Sequence, residues 1–82
     1  MITFEEYVET TTKLGTETIK RNENEIKRLW SLVKAESECS NPDVNELRFL
    51  ANRIEEKQRG IAEARMKIQE LNSIKRIFDG KE

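Results

Sequence analysis

The stretch Ser40-Asn41-Pro42-Asp43 is the strongest interruption in the sequence, and it decides how the chain folds. Pro42 is the only proline. Proline is favoured at the first position of a helix, because its φ is preset and its missing amide hydrogen would have no partner there. Ser40 or Asn41 can cap such a helix, and Asp43 adds a carboxylate at the positive end of the helix dipole. The stretch therefore predicts a turn followed by a new helix.

Two helices of similar length flank this turn. Thr3 and Glu6 form a capping-box pattern, which predicts a first helix over about 3–39. After a turn at about 40–42, the second helix is predicted over about 42–79, ending where Gly80 can take a left-handed conformation. Matched lengths and a short connection favour an antiparallel hairpin, so we interpret residues 1–82 as one all-α helical-hairpin domain.

Apolar residues repeat every seven positions and predict a coiled-coil-like seam between the helices. In the second helix the two rows are Leu47, Ile54, Ile61, Ile68 and Leu50, Lys57, Ala64, Leu71, Phe78, with Lys57 the polar exception. In the first helix they are Thr12, Ile19, Ile26, Val33 and Val8, Gly15, Asn22, Leu29. Opposite charges flank this seam, with Glu9, Glu23 and Glu25 on the first helix and Arg53, Arg65 and Lys67 on the second.

A second set of apolar residues lies outside the seam. It comprises Phe4, Tyr7, Leu14, Trp30, Leu32, Phe49, Ile74 and Ile77, which gather near the two ends of the hairpin. A lone hairpin would leave these side chains in water, and exposed apolar patches mark protein interfaces. We therefore expect a partner protein, and self-association into a homodimeric four-helix bundle is the favoured explanation, in which lysines of one copy can meet glutamates of the other.

Basic residues form a row on the outer side of the first helix. Its members are Lys13, Lys20, Arg21, Lys27, Arg28 and Lys34. Aligned cations can follow a phosphate backbone or an acidic protein groove, so binding to nucleic acid is the alternative function. A solvated helix face is the simpler interpretation, because no aromatic residue interleaves the row.

Composition excludes several other classes of function. Charged residues make up 38% of the chain, the net charge is −1 and histidine is absent, which removes the commonest metal ligand and general base. Cys39 is the only cysteine, and two glutamates nearby disfavour a reactive thiolate. No apolar run approaches a membrane span, so we expect a cytoplasmic protein.

An enzyme is not expected. Small helical dimers such as some chorismate mutases line a pocket between helices with basic and amide side chains. Lys57, Gln58 and Arg65 lie near the seam here, but the first helix offers no matching inward basic residue. We predict no catalytic residues, no metal site and no cofactor.

The stretch Ser40-Asn41-Pro42-Asp43 before a long second helix resembles the turn of type III secretion needle subunits, and Gly15-Thr16-Glu17-Thr18-Ile19 is similar to them as well. The resemblance covers these two short stretches and implies a hairpin that assembles with copies of itself. The heptad seam and the high charge depart from that family. Our main expectation is a non-enzymatic module that binds a larger protein, as an adaptor, an assembly chaperone or a phage or mobile-element inhibitor of host machinery; a secretion-type structural subunit is a further alternative.

We predict that the first helix is softest between Thr12 and Asn22. β-branched residues and glycine lower helix stability, and an asparagine in a seam costs packing energy. Amide hydrogen exchange should therefore be faster over 12–22 than over 61–71. Uniform protection of both segments would contradict this prediction.

Overall fold

Two long helices make up the fold. The computed structural model describes residues 1–80, with α1 spanning Phe4–Ser37 and α2 spanning Val44–Asp79. The helices contact each other along their length and form a rod with extents of 65 × 18 × 17 Å. The predicted all-α helical hairpin is confirmed. The last two residues of the predicted domain, 81 and 82, lie outside the described residues.

The start of α1 follows the capping pattern in the sequence. Thr3 has an extended backbone, and its hydroxyl oxygen accepts a hydrogen bond from the backbone N–H of Glu6 at 3.1 Å. The backbone carbonyl of Thr3 accepts from the N–H of Tyr7 at 3.0 Å. These bonds satisfy amides that have no partner inside the helix, which fixes the first turn.

Asp43 caps α2, which corrects the expectation that Ser40 or Asn41 would do so with Pro42 as the first helical residue. The Asp43 carboxylate accepts hydrogen bonds from the backbone N–H groups of Asn45 at 2.9 Å and Glu46 at 3.3 Å. One carboxylate thus satisfies two free amides and also places negative charge at the helix N-terminus. Pro42 consequently lies before the cap, outside the helix.

The turn is tied to both helices. The side chain of Glu36 in the last turn of α1 accepts a hydrogen bond from the backbone N–H of Asp43 at 2.9 Å. The N–H of Glu38 donates to the carbonyl of Lys34. The last helical residue of α1 is Ser37, two residues before the predicted end at about 39. Glu36 therefore fixes where the second helix begins relative to the first.

Gly80 ends α2 in a right-handed conformation, contrary to the prediction of a left-handed stop. Its φ is −71° and its ψ is −11°, and its N–H donates to the carbonyl of Arg76 at 3.0 Å. The last turn continues the helical geometry, so glycine's freedom to adopt positive φ is not used here.

The heptad rows form the seam as predicted. The buried side chains are Val8, Leu29, Leu50, Ile54, Ile61 and Leu71, and the half-buried positions of the rows include Ile19, Ile26, Val33, Leu47, Lys57, Ala64 and Ile68. Phe78 is the exception, because 59% of its surface is exposed. It lies at the open end of the hairpin, where its ring packs on Phe4 with the centroids 5.3 Å apart.

Glycines bring the helices close together in the middle of the rod. A Cβ at Gly15 would stand 2.8 Å from Cδ1 of Ile68, and a Cβ at Gly60 would stand 2.8 Å from Nδ2 of Asn22. Each glycine therefore leaves room for a larger side chain of the opposite helix. These contacts place Gly15 level with Ile68 and Asn22 level with Gly60, which defines the register of the hairpin.

The weak stretch of α1 remains helical, with no break between Phe4 and Ser37. The hydroxyl of Thr16 donates a hydrogen bond to the backbone carbonyl of Thr12 at 2.8 Å, within the same helix. The Thr12 hydroxyl itself is buried and has no hydrogen-bond partner. An unsatisfied buried polar group costs about 1–3 kcal/mol, so this turn contributes little stability.

We predict that Ile61→Asp abolishes folding, whereas Ala62→Asp is tolerated. Ile61 is buried mid-seam, and a carboxylate there would lose water with no partner; its neighbour Ala62 is exposed. The first change should cost about 3 kcal/mol or more and the second within about 0.5 kcal/mol apart from a small helix-propensity term. Urea unfolding followed by circular dichroism measures both. Equal losses would show that the seam is wrongly assigned.

We predict that Gly60→Ala and Asn22→Ala are coupled. Alanine favours a helix over glycine by about 1 kcal/mol, but in the wild type the new methyl group would press on the Asn22 amide. Gly60→Ala should therefore stabilise the Asn22→Ala variant by more than it stabilises the wild type, with a coupling of roughly 0.5 kcal/mol or more in a double-mutant cycle. Additive effects would indicate that the two side chains do not meet.

Candidate interaction surfaces

The apolar residues predicted outside the seam are almost all exposed. Trp30 is 54% exposed and Ile77 65%, and the same holds for Tyr7, Leu14, Leu32, Phe49 and Ile74. Phe4 is only half-buried rather than fully exposed, because its ring contacts Phe78. The structure thus places seven of the eight residues where a partner can reach them.

Two exposed apolar residues of the helices, Val44 and Met66, were missed by the sequence analysis, and a third, Phe78, was assigned to the seam. Met66 is the most informative of them, because it lines a shallow outer surface of α2 together with Ile74 and Ile77. Residues 66, 70, 74 and 77 are spaced three or four apart, so they share one face of α2. This spacing can be read from the sequence as a second periodicity beside that of the seam.

The exposed apolar residues near the turn lie on opposite flanks of the hairpin. Trp30 lines a shallow pocket with Ala51, Glu55 and Gln58 of α2. Phe49 lies on the other side of α2, because residues two apart on a helix point about 160° away from each other. We call the surface formed by Trp30, Ala51, Glu55 and Gln58 the Trp30 flank.

The other flank has a groove near the chain termini. It is lined by Tyr7, Thr11, Leu14, Gly15 and Thr18 of α1 and by Ala64, Lys67 and Ile68 of α2. The missing side chain of Gly15 opens this groove. Phe49 belongs to the same side at the turn end, where the Arg53 guanidinium lies 6.0 Å from its ring centroid. We call this whole side, from Tyr7 to Phe49, the Phe49 flank.

The predicted basic row divides between the two flanks. Lys13, Lys20, Lys27, Lys34, Arg21 and Arg28 are all exposed. Lys27 and Lys34 are three and four residues from Trp30, so the lysine stripe adjoins the Trp30 flank. Arg28 and Arg21 follow Leu14 at seven-residue spacing and adjoin the Phe49 flank. The single predicted row is therefore two stripes.

Glu25 lies beside Arg28 on α1 and is influenced by basic residues of α2. Its carboxylate accepts a hydrogen bond from Arg28, which lowers the pKa of Glu25, and the charges of Lys57 and Arg53 on the facing helix lower this pKa further. The same bond raises the pKa of Arg28. Both groups are solvent-exposed enough that we assign the pair an orienting role and no stability.

Direct ion pairs between the helices do not form at the predicted flanking positions. Within residues 1–80, Glu25–Arg28 is the only pair whose charged atoms come within 4.0 Å, and it lies within α1. The flanking residues Glu9, Glu23, Arg65 and Lys67 are exposed, and water competes with ion pairs between such groups. The opposite charges act only at longer range, as the effect of Lys57 on Glu25 illustrates.

The three residues weighed for an enzyme site differ in their surroundings. Lys57 is half-buried in the seam, Gln58 lines the Trp30 flank and Arg65 is exposed. Cys39 is exposed, and its thiol donates to the carbonyl of Ala35 at 3.4 Å. In the described part of the chain, no group of three or more potential metal-ligating side chains occurs. Neither of the described helices has an apolar stretch sufficient to span a bilayer.

The geometry of residues 1–80 therefore offers open surfaces on two flanks. Comparison of the chain with protein-family models, with curated proteins and with solved structures finds no match. The surfaces themselves are the basis for assigning a function.

Proposed function

We propose that the chain is a non-enzymatic protein–protein interaction module that binds a larger protein or complex, as a cytoplasmic adaptor, assembly chaperone or inhibitor, and that forms a homodimer. The observation that supports it is the exposure of large apolar side chains on a fold whose only buried stripe is the seam. Each such side chain disfavours the free state by about 25 cal/mol for every Å² of apolar surface left in water.

The Trp30 flank is the surface that we assign to the larger protein. Tryptophan, tyrosine and arginine dominate the binding energy of protein interfaces, and Trp30 stands beside a shallow pocket floored by Ala51. Lys27 and Lys34 border it with positive charge. The partner that fits is a protein surface with an apolar pocket for the indole ring and acidic residues around it.

Binding of nucleic acid is the second candidate, because four exposed lysines are aligned at seven-residue spacing on one stripe. The two candidates differ in salt dependence. Contacts to several phosphates give an affinity that falls steeply with salt concentration, whereas burial of an indole ring does not. The slope of the logarithm of affinity against the logarithm of salt concentration therefore separates them.

We predict that Trp30→Glu loses the larger partner and that Ser31→Glu keeps it. Both residues are exposed on α1 and both changes introduce the same charge, but Ser31 is turned about 100° around the helix from Trp30 and does not line the Trp30 pocket. Proteins captured from the native host by the wild type are identified and purified, and their affinities for both variants are measured by calorimetry. Trp30→Glu should weaken binding by about 2 kcal/mol or more, roughly thirtyfold.

Equal binding of the wild type and Trp30→Glu would remove the Trp30 flank from the proposal. If the captured molecule is a nucleic acid and Lys20→Glu weakens it more than Trp30→Glu, the second candidate replaces the first.

A further inference from the structure

Two complementary rows of side chains run along the Phe49 flank. On α1 the row is Tyr7, Leu14, Arg21 and Arg28, and on α2 it is Phe49, Glu56, Glu63, Glu70 and Ile77, each at seven-residue spacing. All nine residues are exposed. The α1 row is apolar at Tyr7 and Leu14 and basic at Arg21 and Arg28, whereas the α2 row is acidic in its middle and apolar at both ends.

The register of the hairpin aligns these rows level by level. Asn22 lies opposite Gly60 and Gly15 opposite Ile68. By the same register, Arg21 lies within one or two residues of the level of Glu63, and Arg28 within one or two of the level of Glu56, an axial offset of about 3 Å or less. Within one hairpin the two rows lie on the outer edges of the flank, and no ion pair joins them in the described residues.

Helix packing explains why these rows do not meet within one chain. They stand on the far side of the flank from the seam, separated by side chains such as Thr18 and Lys67, which line the groove between the helices. In a four-helix bundle, each helix packs on two neighbours, and residues at such outer positions contact the second neighbour. The rows are therefore placed to face another pair of helices.

We propose that the Phe49 flank binds a second copy of this chain about a two-fold axis parallel to the long axis of the hairpin. This inference rests on the proposed function, since it specifies how the module pairs with itself. In this arrangement α1 of one copy packs on α2 of the other at the same level. Arg28 then meets Glu56 of the second copy, Arg21 meets its Glu63, and Tyr7 meets its Ile77.

Charge selects this axis over the other possible one. A two-fold axis perpendicular to the rod would place α1 against α1 and α2 against α2. Near the centre of the rod Arg21 would then lie against Arg21, and Glu63 against Glu63. Like charges in an interface are repulsive, whereas the parallel axis matches opposite charges twice in each half of the dimer.

The apolar ends and the size of the flank fit the same partner. Leu32 is level with Phe49 at the turn end, and Tyr7 is level with Ile77 at the open end. A face of 65 by 18 Å exceeds the roughly 800 Å² that each partner buries in a standard interface. Among the pairs between the two rows, Leu14 and Glu70 alone combine an apolar with a charged residue. The methylene groups of Glu70 can lie on Leu14.

Charge reversal tests the pairing. Arg28→Glu and Glu56→Arg each replace two attractive pairs of the symmetric dimer by two repulsive ones, so each variant alone should dimerise about tenfold or more weakly. In an equimolar mixture the two variants can form a heterodimer, in which both pairs are attractive. The mixture should therefore recover a species of twice the 9.7 kDa chain mass. Sedimentation equilibrium of the full chain at micromolar concentration measures all three.

Neighbouring residues provide matched controls. Lys27→Glu and Glu55→Arg make the same charge changes one position away, on the Trp30 flank, and should leave the dimer intact. Arg21→Glu with Glu63→Arg repeats the test one heptad along, should either first variant fail to fold. A monomeric wild type, a mixture that stays monomeric, or controls that weaken the dimer equally would overturn the inference.

The result is independent of the test with the larger partner. The charge reversals lie on the Phe49 flank, whereas Trp30→Glu lies on the opposite one. A monomeric wild type that still captures a protein through Trp30 would refute the two-fold pairing and leave the binding of a larger protein standing.

Discussion

Two helices can bury only the side chains along their single line of contact. In this chain that line holds six buried aliphatic residues, and every one retains some exposure to solvent. Burial of each contributes about 1.5–3 kcal/mol, against a large loss of backbone and side-chain entropy in 80 ordered residues. The hairpin therefore has a small hydrophobic core. Any apolar residue outside the seam is exposed to water unless another chain covers it.

The turn decides which residues stand level across that seam. The Glu36 carboxylate holds the N–H of Asp43, and the Asp43 carboxylate in turn holds the first amides of α2. Two glycines then allow Ile68 and Asn22 to reach across the rod without a clash. A shift of one residue in this register would move the seam residues around the helix and misalign the charged rows on the surface.

The two flanks differ in the partner that we propose for each. The Trp30 flank has one large aromatic side chain with lysines around it, which suits a foreign surface of opposite charge. The Phe49 flank carries a basic row and an acidic row with apolar ends, which suits a copy of itself. A module built this way can use one side to assemble and the other to bind. Its stability and its function would then be linked, because pairing buries surface that the monomer leaves exposed.

The sequence by itself determined the two helices, the capping of α1 by Thr3 and the seam, because heptad periodicity and capping chemistry act locally along the chain. It also identified seven exposed apolar residues, since a heptad seam leaves the remaining positions outside. It did not determine that Asp43 rather than Asn41 caps α2, nor that Gly80 keeps a right-handed backbone, because several residues in each stretch satisfy the same local rule. Only the tertiary structure placed Trp30 and Phe49 on opposite flanks and showed which flank each basic stripe adjoins. Those facts depend on how one helix is rotated and aligned against the other, and contacts such as Gly60 with Asn22 set that rotation across nearly forty residues of chain.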